Sequence, residues 1–325
     1  MKLIYLDTSH FSLLTDVFKS SPNVFYNFVD KWREANYILT VSKTHIEEIM
    51  QLSFSETRNL RFKVLSEFIP FKYENENFFE REIFLNLFKN GLLPISDEDR
   101  KTNLSIFSRT ISDKNELELV KQTHTAIRSS GLYKLTSFAD GRAWKAKKMD
   151  KIHSSPKPKL KNVKNKFFFK IFAKFIGIDS SNLGTLRKTF ESTLKDFLFK
   201  IQLQSTLKNS SFVTDKSVAS NISKKISRSN CSGLWLRSEI ETRLKLAQDF
   251  KPNNEKDLDH IQYLPYVDLF VTDRRIVEMT TQVLRSPGLP ESLKKVASPI
   301  KVPQSLEALE KALFDTSYSD TNSFN

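Results

Sequence analysis

"VDLFVTDRRI", Val267–Ile276, is the stretch on which the fold turns. Val267, Leu269, Phe270, Val271 and Thr272 are strand formers in a short apolar run, the pattern of a buried strand. The run delivers a carboxylate, Asp273, at its end, with Arg274 and Arg275 directly behind. The start of the chain repeats the device. "KLIYLDTSHF", residues 2–11, reads as a strand over 2–7 that ends on Asp7, followed by the hydroxyls of Thr8 and Ser9. Two strands that each end on an acid predict that the acids meet at one sheet edge, because the carboxyl ends of parallel strands are where α/β folds assemble sites.

Working outward, residues 21–35 predict a helix, with Val24, Phe25, Phe28, Val29 and Trp32 at helical spacing. A second strand follows at 37–41, and Ser42 stands where an N-cap belongs, before "KTHIEEIMQL". Strand, helix, strand, helix is how a parallel α/β sheet begins. From about 50 to 250 the periodicity is mostly helical, over 56–68, 76–89, 97–109, 113–130, 181–207 and 232–250. The α/β pattern returns with a short helix through "DLDHIQYLPYV", the strand 268–272 and a helix at 274–285. "VASPIKV" then reads as a last strand and 304–314 as a helix after Pro303. The expected architecture is a split α/β domain, 1–50 and 251–314, with a parallel sheet flanked by helices. A large, mostly helical region, 51–250, interrupts it, and 315–325 reads as a disordered tail.

Composition narrows the chemistry. The chain has 325 residues with 39% hydrophobic content, enough for a substantial core. No apolar run approaches the roughly 18–20 residues that span a bilayer. The N-terminus begins directly on an apolar strand rather than a signal-peptide pattern, which predicts a cytoplasmic protein with no membrane partner. A lone Cys231 excludes an intramolecular disulfide and any cysteine-built zinc site. The five histidines, His10, His45, His124, His153 and His260, show no HxxxH or HExxH spacing. A metal, if used, has to be held by carboxylates.

The formal charge is +13, from 51 basic and 38 acidic residues, which attracts polyanions. The excess concentrates between Lys145 and Lys174, where eleven lysines face one acid, Asp150. Lys145, Lys147, Lys148, Lys157, Lys159, Lys161, Lys164 and Lys166, with Pro156 and Pro158 among them, read as a nucleic-acid-gripping arm or a solvated loop. The next segment, "KFFFKIFAKFIG", reads as an amphipathic core helix, or as a segment that stacks on bases or seats on a membrane.

Neighbouring residues sort the possible strand-end chemistries of Asp7. A phosphotransferase that forms a phosphoaspartate wants a second aspartate two residues on; Ser9 stands there. A DxSxS metal site wants serine at position 11; Phe11 stands there. What remains is a carboxylate with two hydroxyls placed to bond the groups behind it. Glu47 and Glu48 lie in the helix after Ser42, about 100° apart, so one of them faces the sheet end; Glu48, before apolar Ile49, is preferred. Asp257 and Asp259 each read as a helix-dipole partner or as a further acid facing the strand that ends in Asp273. Asp268 reads as a strand-start residue.

Taken in order, the strand ending in Asp-Thr-Ser, Ser-x5-Glu-Ile, Asp-x2-His-x2-Tyr-Leu-Pro-Tyr and Phe-Val-Thr-Asp resembles PIN-like (PilT N-terminus) metal-dependent nucleases. "IKVPQSLEALEKAL", 300–313, resembles the closing strand-Pro-helix of such domains, so the likeness covers roughly 1–50 and 255–314. The resemblance implies Asp7, Glu48, Asp257 and Asp273 as an acidic quartet, with Glu47 and Asp259 as open alternatives. Thr8, Ser9 and Thr272 would be supporting hydroxyls, and Arg274 and Arg275 phosphate contacts or ordinary helix-surface charges. It implies Mg²⁺ or Mn²⁺, one ion or two, and hydrolysis of phosphodiester bonds, of RNA more than of DNA. Toxins and phage-defence effectors occur among such proteins, which implies a regulatory or antitoxin-like protein partner and pairing into homo-oligomers. The contrasting expectation is an inert PIN-like scaffold that binds nucleic acid or a partner protein.

Overall fold

In a computed structural model, residues 1–74, 108–129, 226–246 and 254–315 are described, except Asp273, Pro287, Lys295 and Ala297, together with a few positions between 191 and 203. The predicted helices at 76–89 and most of 97–109, the lysine arm, "KFFFKIFAKFIG" and the tail beyond 315 lie outside the described residues.

Strand β1 (Lys2–Leu6) lies at the centre of the sheet. Helices α1 (Thr8–Ser20) and α2 (Pro22–Glu34) lead to β2 (Tyr37–Ser42), α3 (Lys43–Gln51), α4 (Ser55–Glu67) and β3 (Phe71–Glu74). β4 (Ser108–Ile111) and α5 (Lys114–Ser129) follow, then α6 (Ser232–Leu246), α7 (Asn254–Ile261), β5 (Leu269–Thr272), α8 (Arg274–Leu284), β6 (Ile300–Lys301) and α9 (Leu306–Phe314). The strands form one six-stranded sheet in the order β4-β3-β2-β1-β5-β6. All neighbours run parallel except β3 and β4, which are antiparallel.

Four expectations need correction. The sheet is mixed, not purely parallel, because β4 turns back along β3 with Phe71 opposite Ile111. Two strands come from the region read as helical: β3 was missed, and β4 takes over the end of the helix expected at 97–109. Four-residue strands carry too few residues to impose a period, which is why "FKYE" and "SRTI" escaped notice. The third correction is α1. Asp7 is both the strand-end acid and the helix N-cap, accepting from the Ser9 backbone N–H, and His10, Phe11, Leu14, Thr15 and Phe18 form the buried stripe behind it. The last strand shrinks from the seven residues of "VASPIKV" to Ile300–Lys301.

Alternation along the central strands divides the core between two faces. Ile4, Leu6 and Val271 point into a cluster with Phe11, Phe25, Phe28 and Trp32 of α1 and α2. Tyr5 and Phe270 point the other way, into a cluster with Trp235, Leu236, Leu258 and Ile261 of α6 and α7. There the Tyr5 ring stacks on Phe270 at 4.7 Å and on Tyr263 at 5.3 Å. Asp268 sits at the strand start, its carboxylate accepting from the Leu3 N–H at 2.7 Å while its own N–H donates to the Leu3 carbonyl. This pins the β1–β5 register, with Tyr5 opposite Phe270 and Leu6 opposite Val271. From β1 the chain builds β2 and β3 on one side, then crosses to build β5 and β6 on the other. The carboxyl ends of β1 and β5 therefore flank a topological switch point, the crevice where open α/β sheets bind ligands.

A carboxylate edge with a buried histidine network

Asp7 opens the site. Its N–H extends the β1–β5 ladder by donating to the Val271 carbonyl at 3.0 Å. Its Oδ1 accepts from the Ser9 N–H at 2.7 Å and the Ser9 hydroxyl at 2.5 Å, and lies 3.3 Å from His10 Nδ1. Its Oδ2 accepts from the Thr272 hydroxyl at 3.0 Å. Burial pushes the Asp7 pKa up, but the hydrogen bond and charge of His10, the Ser9 hydrogen bond and the charge of His260 outweigh it. The carboxyl is held well below the ordinary range. Asp7 is therefore ionised at neutral pH. Thr272, the last residue of β5, ties that strand to the same carboxylate; Asp273 itself lies outside the described residues, as do the side chains of Arg274 and Arg275, which begin α8.

Glu48 arrives from α3. The Thr8 hydroxyl donates to its Oε2, and His260 Nε2 lies 3.1 Å from the same oxygen. Lys256 Nζ stands 3.7 Å from its Oε1 and donates to the Gln51 side chain at 2.6 Å. Burial raises the Glu48 pKa, but the hydrogen bond and charge of His260, then Lys256 and Thr8, bring it down to about 2. Glu47 behaves in the opposite sense: burial raises it, with Lys43 and Lys256 opposing. Thr8 follows Asp7 directly, so one residue links the two ionised carboxylates. On α7, Asp259 forms an ion pair with Arg237 of α6, whereas Asp257 is half-buried one turn before His260 and so shares its helix face.

Beneath the carboxylates runs a buried chain of hydrogen bonds that the sequence reading missed. It passes from Glu48 to His260 Nε2, from His260 Nδ1 to the Tyr5 hydroxyl at 2.5 Å, and on to Ser42 Oγ at 3.0 Å. Ser42 Oγ lies 3.0 Å from His45 Nδ1, and His45 Nε2 ends the chain on the Leu6 carbonyl at 2.7 Å. That carbonyl can only accept, so His45 Nε2 carries the proton. The Ser42 N–H donates to His45 Nδ1 at 2.9 Å, so Nδ1 accepts. His45 is thus neutral, in accord with a pKa pushed down to about 3 by burial and by the charge of His260. Burial above all keeps the Tyr5 hydroxyl protonated. Every donor in the chain finds an acceptor whether His260 is neutral, with Tyr5 donating to it, or cationic, with Tyr5 donating to Ser42.

A sequence signal for this network existed, in local spacing rather than in histidine-to-histidine spacing. His10 is the third residue after Asp7. His45 is the N3 residue of a capping box begun by Ser42. His260 shares a helix with Asp257. A separate cleft of about 530 Å³ lies between α3, α4 and α5, lined by Met50, Arg58, Phe62, Lys121 and Gln122 among others, and holds none of these carboxylates.

Compared with protein-family models, curated proteins and solved structures, the chain gives no match. The geometry of the edge therefore carries the functional argument alone. Asp7 and Glu48 supply ionised, hard oxygen donors, the kind that Mg²⁺ and Mn²⁺ take. Among the described residues, no group of three or more His, Cys, Asp or Glu side chains is arranged to hold a metal ion. The two carboxylates fit such an ion in kind, and two oxygen ligands leave positions to be filled by further acids, water or substrate. No helix among the described residues is long and apolar enough to cross a membrane.

Proposed function

We propose that this protein is a divalent-metal-dependent nuclease that hydrolyses phosphodiester bonds, of RNA more than of DNA. The observation that carries the reading is the pairing of two half-buried carboxylates, Asp7 and Glu48, both kept ionised, at the switch point of the sheet. Like charges gathered in a half-buried site are costly unless a cation is to be bound there. The strand β5 runs to the same edge through Thr272, whose neighbour Asp273 is the third acid of the proposal. A bound Mg²⁺ or Mn²⁺ would polarise phosphate oxygens and acidify a water.

The chain's own residues do the positioning. Asp7, fixed by Ser9, His10 and Thr272, and Glu48, fixed by Thr8 and His260, present the oxygens that would hold the ion. Tyr5 holds His260 from behind, so the imidazole keeps one orientation toward Glu48. The net charge of +13 draws a polyanionic substrate toward this edge.

A second reading has its own observation. His10 already faces Asp7, and His260 and the cation Lys256 already face Glu48, so both carboxylates have partners within the protein. A scaffold that binds nucleic acid without cutting it fits that arrangement. Cleavage of labelled single-stranded RNA, tRNA and DNA with Mg²⁺, Mn²⁺ or EDTA, by wild type and Asp7→Asn, separates the two. Metal-dependent cutting that the nearly isosteric Asp7→Asn abolishes is the expected result. Binding without cutting under every condition overturns the nuclease and leaves the scaffold.

A further inference from the structure

Arg61, on α4, stands beside this edge with most of its hydrogen-bonding capacity unspent. Its Nη2 donates to the Ser12 hydroxyl at 2.6 Å, and Ser12 donates onward to the Thr8 carbonyl at 3.1 Å. Its Nε is buried with no partner. Among the described residues Ser12 is its one hydrogen-bond partner, and no carboxylate lies within ion-pair distance. Two other partly buried guanidiniums meet carboxylates: Arg228 pairs with Glu239 at 2.9 Å, and Arg237 pairs with Asp259. A guanidinium offers five N–H donors in a rigid fork, and burying it with donors idle costs free energy until an anion meets it. Burial lowers the Arg61 pKa, and the charge of Glu48, then of Asp16, acts against that.

Its position relative to the carboxylates follows from α1. Thr8 and Ser12 are four residues apart, on one helix face and about 6 Å along the axis. Thr8 touches Glu48 and Ser12 touches Arg61. The guanidinium therefore sits about one helical turn along α1 from the ionised edge, on a partly buried residue and held by Ser12. Lys256, the other cation near Glu48, is engaged with Gln51. We infer that Arg61 is a phosphate-binding residue, the Nη donors that Ser12 leaves over taking the backbone phosphate of a nucleic-acid strand whose neighbouring phosphate lies at the Asp7–Glu48 edge. Planar, bidentate recognition of phosphate is what a guanidinium does and an ammonium does not. The inference rests on reading that edge as a phosphodiester site, and it draws its cation from α4 rather than from Arg274 and Arg275.

The test is binding of a short fluorescent single-stranded RNA in EDTA, titrated with salt, for the full chain and for Arg61→Gln, Arg61→Lys and Ser12→Ala. The same proteins are assayed in parallel for cleavage with Mn²⁺. Arg61→Gln is expected to weaken binding roughly tenfold and to make the slope of log affinity against log salt shallower by about 0.7, the share of one single-strand phosphate. Arg61→Lys and Ser12→Ala keep the charge and so the slope, but lose affinity because the fork or its orientation is gone. If Arg61→Gln does not fold, those two variants carry the test, and unchanged affinity in both overturns the inference. So does an Arg61→Gln that binds with wild-type affinity and slope. If that happens while Asp7→Asn abolishes cleavage, the nuclease stands and only the role of Arg61 falls. Loss of slope without cleavage by any variant, wild type included, keeps Arg61 as a phosphate contact and removes the nuclease. Wild type that neither binds nor cuts overturns both.

Discussion

Glu48→Gln tests whether the carboxylate edge is held ionised by its surroundings. Burial alone would raise the Glu48 pKa; His260, Lys256 and Thr8 bring it from an ordinary 4.5 down to about 2. That difference corresponds to about 3 kcal/mol of stability contributed by the ionised form at neutral pH. The side chain is only 18% exposed, so solvent screening removes little of it. Because the folded-state pKa is depressed, the contribution is complete above about pH 5 and is lost as pH falls toward 2. On that scale about 1 kcal/mol is gone at pH 4 and about 2 kcal/mol at pH 3. Glutamine keeps the size and can still accept from Thr8 but cannot ionise, so wild type minus variant isolates the pH-linked charge. Urea denaturation at pH 7, 5, 4 and 3 measures it. The expected difference is largest at pH 7 and shrinks on acidification. A difference that is flat with pH, or a Glu48→Gln more stable than wild type at pH 7, refutes the reasoning; the latter would mean that repulsion at the edge outweighs the pairing.

Tyr5→Phe removes the hydroxyl between His260 and Ser42 while keeping the ring stack on Phe270, and is expected to cost about 1–3 kcal/mol for the buried groups left unpaired; a loss too small to detect by urea denaturation would mean that the network rearranges freely. In Gly233→Ala the new Cβ would lie 2.4 Å from the Gln262 backbone oxygen, so α6 must back away from the turn after α7. Ala gains about 1 kcal/mol of helix propensity over Gly, but an overlap with backbone costs about 1–3 kcal/mol or more, so a lower Tm is expected and a higher one contradicts the packing.

Long, strongly patterned elements were legible in the sequence, and short or doubly employed ones were not. α2 was read from its apolar spacing, α3 from the Ser42 cap, and β1, β2 and β5 from short apolar runs. These are strands packed on both faces, so their own composition announces them. β3 and β4 extend the sheet by pairing with β2 and with each other, and what makes them strands is that neighbouring edge. Nothing local in four residues outweighs helical surroundings. α1 failed for a different reason: assigning Asp7 one task, a strand-end acid, hid its second task as helix cap, although the same Oδ1 that serves the site accepts the Ser9 N–H.

The candidate site divides along the same line. Carboxylates at strand ends could be found by counting, because a strand end fixes where its acid goes. The choice within each doublet needed three dimensions. Glu48 differs from Glu47 in meeting Thr8 and His260, and Asp259 meets Arg237, partners from other helices or from the far end of the chain. The histidines were invisible for the same physical reason. His10, His45 and His260 share no spacing because they come from three helices, α1, α3 and α7. His45 and His260, whose rings lie 4.8 Å apart, meet only because β1 lies between β2 and β5, which brings Ser42, Tyr5 and the residues beside Phe270 into one layer, while His10 meets Asp7 from α1. Neither their spacing nor their number predicts that convergence; the strand order does. It also explains why the polar chain ends at the Leu6 carbonyl, one residue before Asp7. The acid is anchored from below by a neutral His45 that bonds its own strand, while His10 from α1 and His260 from α7 stand against the two carboxylates.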